Sequence, residues 1–166
     1  MRKEWKAAGI QGSARILSRC DAEAFLDHLL RLDPESLRDR FNGTVSKGFL
    51  SGYVARCFRG GVAVVGFVRN GAVLGAGELH ETSAGEAEAA FSVEGSIRGR
   101  GVGGLLFDRV VEIALTRGIS RMEIATHADN AAMKGLARSR GLLLEFDGTE
   151  GHGWLQLAES RILRVA

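Results

Sequence analysis

The chain is short of the residues that punctuate or staple a fold. Among 166 residues it has one proline, two cysteines and one tyrosine. With the proline confined to position 34, no proline-rich linker exists. Neither repeats nor low-complexity tracts interrupt the sequence, so one domain over residues 1–166 is expected. Cys20 and Cys57 lack both the CxxC and the Cys/His spacing of a metal site. They are expected to be two buried thiols, with neither a disulfide nor a metal. No apolar run approaches the ~20 residues of a membrane span. The opening MRKEWKAAGIQGSARIL is basic but has no apolar core of the signal-peptide kind. A cytoplasmic location and no membrane partner follow as expectations. The net charge of +2 comes from 22 basic residues, spread along the chain, against 20 acidic ones, which is too little excess to expect a nucleic-acid partner.

What remains is an alternation of periodicities. Residues 1–12 read as a loose lead-in, and SARILS (13–18) alternates as a first strand. Asp21 can cap a helix through about Leu32, with Phe25, Leu26, Leu29 and Leu30 as its apolar stripe and His28 in solvent. Asp33 is an N-cap with Pro34 at the first helical position, and that helix runs to about Phe41. Residues 42–58 have helical spacing at Phe49, Tyr53 and Cys57, but their glycines weaken it. VAVVGFVRN and AVLGAGELHE are two strands joined through Asn70-Gly71, a strong hairpin signal. EAEAAFSVEG (86–95) is a further strand after a turn at Gly85. A helix from Gly101 to Arg117 turns Val102, Leu105, Leu106, Val110, Ile113 and Ala114 to one face, and Gly118 stops it. SRMEIAT is a strand. A short helix capped by Asp129 or Asn130 follows, with Met133, Leu136 and Ala137 inward. LLLEF and GWLQLA are the last strands, about a turn at 148–151. The class is α+β, with a mostly antiparallel, mixed sheet of about seven strands and about four helices. Trp5 and Trp154 are expected to serve packing.

The glycines concentrate where a helix begins. The first N–H groups of a helix have no internal partner and carry the positive end of its dipole. In SIRGRGVGGLL (96–106), Gly99, Gly101, Gly103 and Gly104 let the backbone approach a ligand, and Arg98 and Arg100 add positive charge. This pattern suits a phosphate or pyrophosphate. A Walker loop is excluded, because no Lys-Ser/Thr follows. Gly99, Gly101 and Gly104 have the GxGxxG spacing of a dinucleotide fingerprint. No repeating βαβ organisation precedes them, however, and no acid closes a second strand about 20 residues on.

Arg98-Gly99-Arg100-Gly101-Val102-Gly103 resembles the [QR]xxGx[GA] motif of the GNAT superfamily of N-acetyltransferases. AEAAFSV resembles that family's fourth strand, and Asn130 with AAMKGLARSRG resembles its later helix. The likeness runs from about Gly61 to Leu157. More loosely, ILSRCDAEAFLDHLLRLDPESLRDRF resembles the opening of the branch containing protein lysine acetyltransferase domains. The resemblance implies a single GNAT-like domain in which acetyl-CoA and an amine bind together and the amine attacks the thioester directly. It implies acetyl-CoA as cosubstrate and an amine partner, either a small molecule or a protein lysine. Homodimers are frequent in the family. It also implies that Ser92 and Val93 offer backbone groups to the pantetheine arm and acetyl group. The stretch from Arg98 through Gly99, Arg100, Gly101, Val102, Gly103 and Gly104 to Leu105 would hold the pyrophosphate, and Asn130 and Met133 would line the pantetheine path.

For catalysis, Glu88 is the candidate general base. It shares a face with Ala90 and Ser92, and partial burial would raise its pKa. Glu78 and His80 on the neighbouring strand are reserves, and His127 reads as a loop residue. Glu81, Glu86 and Glu88 suit a cationic acceptor. The Tyr that the family commonly places seven residues after the helix Asn is Ala137 here, which leaves Ser139 as a weak candidate acid. The alternative reading is a non-catalytic acyl-CoA-binding or regulatory module that keeps the loop without the chemistry.

Overall fold

The computed structural model describes residue 7 and residues 9–157; Trp5 lies outside them. Seven strands form one sheet: β1 (Ser13–Ile16), β2 (Val62–Arg69), β3 (Ala72–Ser83), β4 (Glu86–Val93), β5 (Arg121–His127), β6 (Leu144–Asp147) and β7 (Glu150–Gln156). Five helices flank it: α1 (Ala22–Arg31), α2 (Pro34–Phe41), α3 (Lys47–Cys57), α4 (Val102–Thr116) and α5 (Ala131–Ser139). That is one helix more than expected. α3 forms in spite of its glycines because Ser46 accepts the Phe49 N–H at its start and Leu50, Val54 and Cys57 bury one stripe.

The sheet order is β1-β2-β3-β4-β5-β7-β6. Every pairing is antiparallel except β4 with β5. The β2–β3 hairpin turns through Asn70 and Gly71, both at positive φ (51° and 81°), as a tight primed turn requires. Two cores cover the two faces. One packs α4 and α5 through Leu106, Val110 and Met133 against Leu79, Ala89 and Ile124. The other packs α1 and α3 through Phe25, Leu29, Leu50 and Val54 against Val64, Val73 and Ala76. Leu143, Phe146 and Trp154 remain exposed; Trp154, expected in the packing, instead lies 3.7 Å beneath the Arg121 guanidinium at the surface.

The parallel pair β4–β5 sets the site. Its register ends at Ala89 opposite Ile124, while β4 continues to Val93 on β3 and β5 continues to His127 on β7. Beyond Ala89 the two strands share no ladder. The Glu94 N–H donates to Leu74 on the β3 side, so by strand alternation the backbone groups of Phe91 and Val93 face the opening. The chain leaves β4 through a 3₁₀ turn at Gly95–Ile97 and enters α4 at Gly101. An open strand edge and a helix N-terminus thus meet at one end of the sheet.

Candidate acetyl-transfer site

A cleft of about 590 Å³ lies where β4 parts from β5. Ser92 and Val93 form one wall, the loop into α4 a second, and Asn130 and Met133 of α5 a third. Of the residues expected to hold the cofactor, all line this cleft except Arg100 and Leu105. Gly101 is the N-cap of α4 at φ +77°, a left-handed conformation that glycine adopts without penalty. A Cβ placed on Gly99 or Gly101 would meet no heavy atom within 4 Å, and one on Gly103 would meet only Val93 Cγ2 at 4.0 Å. The open space above these glycines and the unpaired N–H groups of the first turn fit a pyrophosphate. Asn130 is fixed by capping α5, its Oδ1 accepting the Met133 N–H at 2.9 Å.

Arg98 does something else. Its Nε donates to the Val93 carbonyl at 2.9 Å and Nη2 donates to Ser36 Oγ at 2.5 Å, with Asp33 3.6 Å away. The side chain braces the loop against the start of α2. Asp33 itself accepts the Ser36 N–H as N-cap, and those bonds with Ser36, chiefly, hold its carboxyl below the usual carboxylate range.

A second cavity of about 270 Å³ adjoins the first. Asp39, Arg40, Phe91, Asn130 and Met133 line both, so the two meet between α2, β4 and α5. Glu88, Glu150 and Asp39 give the second cavity three carboxylates, and Asn42 Nδ2 donates across it to Glu150 Oε1 at 2.5 Å. Glu88 lies on the expected face but is exposed, not partly buried, at the mouth of this cavity.

His80, opposite Glu88 in the β3–β4 register, belongs to a separate buried network. Glu78 is fully buried, and its Oε2 accepts from Tyr53 Oη, from Arg40 Nη2 at 2.9 Å and from His80 Nε2 at 3.1 Å. Burial alone would raise the Glu78 pKa, but the Arg40 charge and the hydrogen bonds overcome it and bring it down to about 2. The ligating atoms of Cys57, Glu78 and His80 lie within 4.8 Å of one another, as in a metal site. The Arg40 guanidinium already pairs with Oε2, although Oε1 is buried without a partner, and burial with the Glu78 charge pushes the Cys57 thiol up to about 12. With the Arg40 charge at 2.9 Å, the network is read as an ion pair.

Of the remaining expectations, Ser139 lines neither cavity and donates its hydroxyl to the Leu136 carbonyl at 2.7 Å. Ala137 is buried in the core. His127 ends β5, where its Nδ1 accepts the Asp129 N–H at 3.2 Å. Cys57 is buried as expected, but Cys20 is exposed because it sits in the 3₁₀ turn before α1. His28, expected in solvent, is fully buried between α1 and β4. Sequence reasoning also missed Asp39 and Arg40. The 3.6-residue period places residues 36, 39 and 40 on one face of α2, but not what that face meets.

Among the described residues no helix is long and apolar enough to cross a membrane. Comparison with curated protein sequences gives no match. Among solved structures, the GNAT domain of S. lividans PAT superposes with a TM-score of 0.81 at 20% identity, covering 93% of this chain and 96% of that one. The paiA N-acetyltransferase of Thermoplasma acidophilum, in complex with coenzyme A, gives 0.65 at 16% identity, covering 89% and 99%. yncA of Salmonella typhimurium, with its cofactor acetyl-CoA, gives 0.66 at 19% identity, covering 88% and 94%. These likenesses bear on the fold. The sequence itself matches the model of the acetyltransferase (GNAT) family over residues 17–142, so the chain, with its open β4 edge feeding the glycine cradle of α4, belongs to that family.

Proposed function

We propose that this protein is an acetyl-CoA-dependent N-acetyltransferase that acts in the cytoplasm, as one domain over residues 1–166, on a primary amine of a protein lysine or a small molecule. The observation that carries the reading is the continuity of two cavities. A glycine cradle at a helix N-terminus opens into one, Glu88 and Glu150 line the other, and five residues, Asp39 among them, belong to both. In this reading the Gly101–Gly104 turn holds the pyrophosphate, the open edge of β4 at Phe91 and the Val93 N–H holds the pantetheine and the thioester oxygen, and the acceptor enters past Glu88. The carboxylates draw in an ammonium. Glu88 takes up one proton, the amine nitrogen bonds to the carbonyl carbon, and the carbon–sulfur bond breaks as the nitrogen's second proton passes to the departing sulfur, leaving the amide and CoA thiol.

The alternative is an acyl-CoA-binding module without turnover. The observation in its favour is the missing acid: Ala137 is buried where the family places a Tyr, and Ser139 lies outside both cavities. Calorimetric titration with acetyl-CoA, paired with thiol release over a panel of amines and lysine peptides, separates the two. Binding with amine-dependent CoA release is expected. Binding without release on any amine would favour the module, and no binding would refute both.

A further inference from the structure

We propose that Ser92, His28 and Glu94 form a base-activated hydroxyl at the edge of the cofactor cleft, through which the protein accepts the acyl group of an acyl-CoA on Ser92 and hydrolyses it. The inference rests on the reading of that cleft as an acyl-CoA site.

The three residues come from α1 and from β4 with its exit. His28 Nδ1 is 3.1 Å from Glu94 Oε1 and Nε2 is 2.8 Å from Ser92 Oγ. Glu94 is further held by Arg31, whose Nε donates to the same oxygen at 3.0 Å and whose Nη2 donates to the Val73 carbonyl at 2.7 Å. Burial would raise the Glu94 pKa, but the bonds from His28 and Arg31 turn it downward, so the carboxylate is an acceptor only. His28 Nδ1 therefore carries a proton. In the neutral ring Nε2 is then bare, and it can only accept the Ser92 hydroxyl hydrogen. The ring itself is fixed, being fully buried and stacked on Phe25 at 6.5 Å and 18°.

Nucleophile, base and orienting carboxylate thus stand in sequence at hydrogen-bond distance, the geometry by which a hydroxyl is activated on any fold. A buried His needs partners for structural reasons alone. Two further observations set this one apart. Ser92 retains 8% exposure and lines the larger cleft, so the hydroxyl sits at the cavity and not deep in the core. The adjacent Phe91 N–H faces the open strand edge, where it can receive the oxygen of a carbonyl under attack.

The step balances within the site. Ser92 Oγ adds to the thioester carbonyl carbon while its proton passes to His28 Nε2. The carbon–sulfur bond breaks, and the Nε2 proton goes to the departing sulfur, leaving acyl-Ser92 and CoA thiol. A water deprotonated by the same nitrogen then cleaves the ester, so the net reaction is acyl-CoA hydrolysis that needs no amine.

The test uses the full chain with acetyl-CoA and no amine. Thiol release is followed in time, and acid-quenched protein is mapped by mass spectrometry. The expected result is release of CoA with one acetyl group on the peptide carrying Ser92, removable by hydroxylamine as an ester is and a lysine amide is not. Ser92→Ala abolishes both, and His28→Gln slows acylation by about 100-fold or more. Ser92→Cys is the second variant, because its acyl thioester accumulates if hydrolysis outruns trapping. The proposal is overturned if acetyl-CoA binds wild type by calorimetry yet no acyl group reaches Ser92 or Cys at that position. Acetylation confined to lysines, or amine-independent hydrolysis that persists in Ser92→Ala, also overturns it. Failure of wild type to bind acetyl-CoA is a different result, because it removes the cleft reading and this proposal with it.

Discussion

Replacing Glu78 with Gln keeps the shape of the side chain and removes its charge, and the structure sets the cost. Glu78 has no solvent exposure, and its partner Arg40 keeps 10% at the side chain. The variant leaves the guanidinium buried without its counter-ion, a change that costs about 3–5 kcal/mol. The depressed pKa expresses the same pairing and gives a figure of the same order. The fall of the Glu78 pKa from 4.5 to about 2 corresponds to about 3 kcal/mol of native stability. The sign follows from the direction. The native state binds this proton less readily than the unfolded chain, so the contribution is complete above about pH 4.5 and is lost as pH falls toward 2. Urea unfolding of wild type and Glu78→Gln should therefore differ by about 3 kcal/mol at pH 7, and the gap should close as pH approaches 2. In thermal melts at pH 7 the deficit is about 10 °C for a chain of this size. The double replacement Arg40→Met with Glu78→Leu should recover much of the loss, because no buried charge remains. A Gln variant within 1 kcal/mol of wild type at pH 7, or a gap that acid does not narrow, would refute the account.

Gly103→Val adds a side chain whose Cβ meets nothing closer than Val93 Cγ2 at 4.0 Å, so the melting temperature should hold within a few degrees. Its methyls enter the cleft, and acetyl-CoA affinity measured by calorimetry should fall at least about tenfold. Glu88→Gln should lower kcat by about 100-fold or more, against a much smaller change in acetyl-CoA affinity. Asp33→Ala removes the N-cap of α2 and one partner of Arg98, and should cost about 1 kcal/mol in denaturant unfolding.

Local signals carried most of the fold. Asp33, Ser46 and Asn130 accept the N–H groups that a capping residue takes, and the Asn70-Gly71 turn joins the strands it was expected to join. The glycine cradle was legible for the same reason, since a helix N-terminus and its preceding loop are contiguous in sequence. His28 was misjudged although a signal was present. It lies three residues after Phe25 and four before Leu32, on the stripe that α1 buries. Polarity argued for solvent, and the partners that reverse that argument, Ser92 and Glu94, are 64 and 66 residues away. Arg98 is legible only in part, for it lines the cleft as expected and also braces the loop. Its place in the motif suggested an anion, whereas α2, brought alongside by the tertiary fold, supplies Ser36 and Asp33 for its guanidinium.

The same distinction explains how identities of 16–20% can accompany TM-scores of 0.65–0.81. The geometry of the cleft comes from the backbone. One parallel pairing inside an antiparallel sheet lets β4 and β5 part after Ala89, and the β4-to-α4 connection must then place a helix N-terminus over the gap. Strand-edge groups and helix N–H groups are present whatever the side chains, provided the turn residues are small enough to leave the space open. Only the glycines at the turn are strongly constrained, which is why they stand out in the sequence. On the α1–α2 face this chain places Asp39, Arg40 and the His28–Ser92 contact at the cleft's wall. The chemistry particular to this protein is to be sought on that face.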